Sequence, residues 1–65
     1  MKLYVGPMDS VVVDYDNDGK VQLEGEEEFR APSLQERRAI IYAARSELAA
    51  LTELLDVLER TVPAS

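Results

Sequence analysis

Pro32-Ser33-Leu34-Gln35-Glu36 opens the stretch that decides the fold. A serine followed three residues later by a glutamate, just ahead of an apolar-periodic run, is the pattern of a capping box. The Ser33 hydroxyl accepts from the Glu36 backbone N–H, and the Glu36 carboxylate reaches back to the Ser33 N–H. From Leu34 to about Thr61 neither glycine nor proline intervenes, and Pro63 marks the end. The spacing therefore predicts one long amphipathic helix over about 33–61, roughly 28 residues and ~42 Å at 1.5 Å per residue.

Within this helix Leu34, Ile41, Leu48, Leu55 and Val62 recur every seven residues, and Ala44, Leu51 and Leu58 fill the intervening positions. This is a coiled-coil-like seam in which Arg37 alone replaces an apolar residue. Ile40, Leu54 and Val57 widen the stripe, as expected if one edge packs on a sheet and the other on a partner helix.

Toward the N-terminus the pattern changes from helical to alternating. Leu3-Tyr4-Val5, Val11-Val12-Val13-Asp14-Tyr15 and Lys20-Val21-Gln22-Leu23-Glu24 read as strands, broken first at Gly6-Pro7 and then by an aspartate-rich turn. Loop length sets which residues oppose one another. A two-residue Asp18-Gly19 loop would set Asp14 against Leu23, wasting the apolar face. A three-residue loop, Asn17-Asp18-Gly19, with a left-handed Gly19, pairs Tyr15 with Val21 and Val13 with Leu23 on one side, and Asp14 with Gln22 and Asp16 with Lys20 on the other. Val12 then falls on the wet side. The expectation is an α+β chain: a small antiparallel hairpin or meander (about 2–5, 10–15 and 20–24) plus the C-terminal helix. It forms a single domain over 1–65, with a β-hairpin unit at 1–25, an acidic linker at 26–32 and the coiled-coil-like helix at 33–62. Phe29, the only phenylalanine, is expected to anchor the linker to the core.

A chain of 65 residues buries only roughly 60% of its unfolded surface, so added stabilisation is expected. With neither cysteine nor histidine, disulfides and a structural zinc are not the source, which leaves self-association. Strands of six residues span only ~20 Å, about half of the helix. In a monomer Leu51, Leu54, Leu55, Val57, Leu58 and Val62 would face water, a patch of the kind that marks an interface. Arg37, Arg38 and Arg45 occupy the N-terminal half of the helix, and Glu53, Asp56 and Glu59 the C-terminal half, against the helix dipole. An antiparallel partner relieves this by facing Arg38 with Glu59 twice. We therefore expect a homodimer, or a tetramer built from it, whose interface holds Leu34, Ile41, Leu48, Leu51, Leu54, Leu55, Leu58, Val62, Arg38 and Glu59.

Seven basic against thirteen acidic side chains give a net charge of −6 and a pI near 4.4, which repels a phosphate backbone and argues against nucleic acid. No segment approaches the roughly 20 apolar residues of a membrane helix, and the first residues carry too short an apolar run for a signal peptide. The expected location is cytoplasmic. Residues 1–32 hold eight acids and three bases. Asp14, Asp16, Asp18, Glu24, Glu26, Glu27 and Glu28 therefore make a candidate docking surface for a partner protein with a basic face. Asp14-Tyr15-Asp16-Asn17-Asp18-Gly19 matches the opening of a calcium loop, but its twelfth position is Gly25 where a bidentate glutamate belongs. We read it as a turn, with no metal and no cofactor.

Arg30, Arg37, Arg38 and Arg45, near a helix N-terminus, are candidate anion-binding residues. No histidine, cysteine, glycine-rich phosphate loop or serine-lysine motif is present to support catalysis, and no catalytic residue is assigned. The function expected is a non-enzymatic, homo-oligomeric interaction module, in kind a small acidic inhibitor or regulator of the phage or mobile-element type. The alternatives are an oligomeric binder that sequesters an anionic nucleotide or metabolite through the helix arginines, and an antitoxin-like DNA-binding regulator.

Overall fold

The computed structural model describes residues 1–61; Val62 and Pro63, assigned above to the helix seam and its end, lie outside the described residues. Strands β1 (Leu3–Val5), β2 (Ser10–Tyr15) and β3 (Val21–Leu23) form an antiparallel sheet in the order β1-β2-β3, followed by a single helix, α1 (Leu34–Arg60). The chain is thus α+β, with the helix within a residue or two of its expected bounds.

Local chemistry explains each connection. Between β1 and β2, Gly6–Met8 makes one turn of 3-10 helix with Pro7 in its first positions. It closes on Asp9, whose φ of 48° is left-handed and whose N–H donates to the Gly6 carbonyl at 3.0 Å. Aspartate tolerates this conformation better than most side chains, and here its carboxylate also accepts from the Tyr4 hydroxyl at 3.0 Å. Between β2 and β3, Asp16 N–H donates to the Lys20 carbonyl, and one Asp16 carboxylate oxygen accepts from the N–H groups of Asp18 and Lys20 at 2.9 Å each. Gly19, at φ +86°, supplies the left-handed step that completes the three-residue loop.

The register departs from expectation at one residue. Tyr15 opposes Val21 and Asp14 opposes Gln22, as predicted, but Leu23 is opposed by Val12 and not by Val13. Val12 and Tyr15 are three residues apart, so an unbroken strand would turn them to opposite faces, while their partners Leu23 and Val21 share one face. A β-bulge at Val13 adds the extra residue that reconciles the two. Val12 is consequently 1% exposed and central to the core, where it also opposes Leu3 of β1.

That core is small: Leu3, Val5, Val12, Val21 and Leu23 are buried, with Met8, Ala39, Ile40 and Ala43 packed against them. Ala39 and Ala43 lie one helical turn apart, and their short side chains let α1 approach the sheet closely. The stretch after β3 does more than link. Gly25, at φ +90°, turns the chain so that Glu26 N–H reaches the Leu23 carbonyl at 3.0 Å. The backbone then returns beside β3, where Val21 and Arg30 exchange two hydrogen bonds of 2.9 Å. The outer edge of β3 is thereby partly covered. Phe29, expected as an anchor, is instead 39% exposed and stands outside the core, because the inward side of this return is taken by the Arg30 backbone bridge.

The bulge yields a stability test. Val12→Ala should lower unfolding free energy by about 2 kcal/mol, two buried carbons plus a cavity, and Val13→Ala by less than half of that. Urea midpoints at a fixed protein concentration measure both, and equal losses would contradict the bulged register.

Candidate interaction surface

Arg30 joins the sheet to the helix. Its backbone bridges β3, and its guanidinium meets the Glu36 carboxylate in a two-pronged contact, Nη1 to Oε1 and Nη2 to Oε2, both 3.0 Å, with Glu26 at 3.5 Å from Nε. Glu36 is also the far half of the capping box: its Oε1 accepts from Ser33 N–H at 2.9 Å, and Glu36 N–H donates to Ser33 Oγ at 3.1 Å. The Arg30 guanidinium, helped by the Ser33 N–H, holds the Glu36 carboxyl at about 2, down from 4.5. The Arg30 guanidinium is therefore already paired with two carboxylates of its own chain.

The remaining arginines do not converge. At roughly 100° per residue, Arg37 points about a quarter turn or more away from Arg38 and Arg45, which share a face. The Arg37 guanidinium extends to the hairpin turn, where Nη2 would lie 3.6 Å from a Cβ placed on Gly19. The break in the seam at Arg37 thus lies where the helix passes the β2–β3 turn, beside Gly19, Val21, Pro32, Ile40 and Ile41.

The candidate acidic surface divides into two ends. Asp14, Asp16 and Asp18 cluster at the β2–β3 turn, where Asp16 is committed to the turn and Asp14 accepts from Tyr15 N–H at 2.8 Å. Glu24 and Glu26–28 follow the other end of β3, with Glu24 beside Lys2 at 3.9 Å and Glu26 beside Arg30. Glu27 and Glu28 have no opposite charge within 4 Å among the described residues and border a shallow hollow with Phe29 and Arg30. Among the described residues no group of three or more carboxylates is placed to hold a metal ion, and no helix is long and apolar enough to cross a membrane.

The largest unsatisfied feature is α1 itself. At 27 residues it extends ~40 Å, and none of its residues is fully buried. The sheet reaches only its first half. Beyond that, Leu48, Leu51, Leu54, Leu55 and Leu58 are between 49% and 65% exposed, with Val57 at 37%. Two hollows flank the sheeted half. One runs between Tyr4, Gly6 and Pro7 and the small residues Ala39, Ala43 and Ala50, with Tyr42 at its rim. The other lies on the seam side, where Met1 to Leu3 stand beside Ala44, Glu47, Leu48 and Leu51. Neither hollow was legible from periodicity, because each joins β1 to a helix more than thirty residues away.

The Glu36 junction carries a pH dependence. A carboxyl whose value is lowered on folding adds stability above its unfolded value, and that stability is lost as pH falls toward the folded one. Between pH 4.5 and 2 the wild-type melting temperature should therefore fall more steeply than that of Glu36→Gln, which is less stable at neutral pH but has no charge there to lose. Thermal melts by circular dichroism across that window test this; parallel curves would show that the pair contributes nothing to stability.

Compared with protein-family models, curated proteins and solved structures, the chain matched none.

Proposed function

We propose that this chain is a homo-oligomeric interaction module: α1 pairs with α1 of another copy, and the acidic sheet end engages a partner protein with a basic surface. One observation carries the reading. A helix with no buried residue of its own presents a row of half-exposed leucines on one continuous stripe. A patch of this kind on a small chain marks a surface meant to be covered, and a domain of this size gains from oligomerisation what its core lacks.

Charge distribution supports the division of labour. The stripe from Leu48 to Leu58 is apolar, whereas the loops that bound β3 are rich in carboxylates. A partner steered by those carboxylates would be held more weakly as salt shortens the Debye length from about 10 Å at 0.1 M to about 3 Å at 1 M. Glu27 and Glu28, free of internal ion pairs among the described residues, are the side chains best placed to contribute. The module would act as a regulator or inhibitor by occupying its partner's basic face.

Native mass spectrometry and light scattering test the first half. The wild type should give an even-numbered assembly at micromolar concentration. Leu51→Asp should weaken association by at least a hundredfold, since each leucine lost from burial is worth about 1.5–3 kcal/mol and occurs twice in a symmetric dimer. A wild-type monomer at high micromolar concentration would refute the reading. For the second half, charge reversal at Glu27 and Glu28 should reduce capture of a basic partner and leave the assembly mass unchanged.

A further inference from the structure

The seam-side hollow is an open groove between the first residues of the chain and α1. Met1, Lys2 and Leu3 form one wall and Ala44, Glu47, Leu48 and Leu51 the other, around an open space of about 290 Å³. A closed cavity of roughly 150 Å³ accommodates a benzene ring, so an open hollow of this size leaves room for a leucine side chain. Ala44 is the only alanine among the seam positions from Leu34 to Leu58. The helix is thus notched where the β1 edge approaches it.

We propose that this notch receives Leu55 of a second copy lying antiparallel, with that copy's Leu54 against the β1 edge. The proposal rests on the helix-mediated oligomer above, keeps the antiparallel orientation expected from the charges, and adds the residue that fills the notch. With Leu48 of one copy opposite Leu51 of the other, helical repeat places Ile41 opposite Leu58 and Ala44 opposite Leu55, the small residue facing a large one at the notch. The bare half of each helix is then covered by the sheeted half of the other.

Charge selects the same arrangement. Arg38 and Glu59 lie on one flank of the seam, and neither has an opposite charge within 4 Å among the described residues. The antiparallel register faces Arg38 with the second copy's Glu59, twice per dimer. A parallel pair would instead set Arg37 against Arg37 and Ala44 against Ala44, joining like charges at one layer and leaving a void at the other. Complementary flanking charges are the usual determinant of helix orientation in such pairs.

A size swap tests the register. Ala44→Leu should weaken dimerisation about a hundredfold by overfilling both notches, and adding Leu55→Ala in the same chain should recover at least tenfold. Sedimentation equilibrium measures both, with far-UV circular dichroism as the check on folding. The chain has no cysteine, so Arg38→Cys and Glu59→Cys provide an independent readout. A short bismaleimide should link the two variants when mixed, and should link either one alone at least fivefold less. A wild type that dimerises, but whose size swap recovers nothing and whose Arg38→Cys links to itself, would overturn the register and leave the oligomer standing. A monomeric wild type would overturn both.

Discussion

The Glu36 carboxylate is the point at which the two halves of this chain become one structure. It caps the first turn of α1 through Ser33 and, with its other oxygen as well, grips the Arg30 guanidinium, whose backbone is hydrogen-bonded to β3. A helix start left uncapped carries several unpaired N–H groups, and a long helix joined to a small sheet by a loose tether would sample many angles. Placing both requirements on one side chain fixes where α1 begins and ties that start to the sheet edge. The pairing is partly solvent-exposed, so its value lies in the two paired hydrogen bonds more than in Coulomb attraction.

With that junction set, the remaining architecture follows from a mismatch of lengths. Strands of three to six residues are laid on a helix of 27, so the sheet can cover little more than its first half. Among the described residues five aliphatic side chains make the buried core, which is modest for an independent domain. The apolar surface missing from that core is present further along α1, on a side that none of the described residues covers. In the proposed oligomer a second copy would add buried area where the single chain has least, and the acidic loops would stand away from that contact.

Much of this was legible in the sequence. The Ser33 and Glu36 spacing marked the helix start, the unbroken run to Thr61 gave its length, and Asn17-Asp18-Gly19 gave the turn, because capping, helix propensity and left-handed glycine act within a few residues. The Val13 bulge was not legible. Strict alternation placed Val13 inside and Val12 outside, and only the simultaneous demands of Leu3 from β1 and Leu23 from β3 decide for Val12. Phe29 was misplaced for a related reason: its hydrophobicity suggested burial, but the return of the chain along β3 turned Arg30 inward there.

The sequence by itself thus determined the order of elements, the heptad stripe and the uneven charge, since each is a local or periodic property that survives without knowing what packs on what. Tertiary structure alone decided three other features. It picked which valine enters the core, tied Arg30 to Glu36, and set the β1 edge beside Ala44 to form a notch. All three bring together residues distant in the chain, or choose between neighbours of equal hydrophobicity, and such choices are made by the closing of the sheet against the helix.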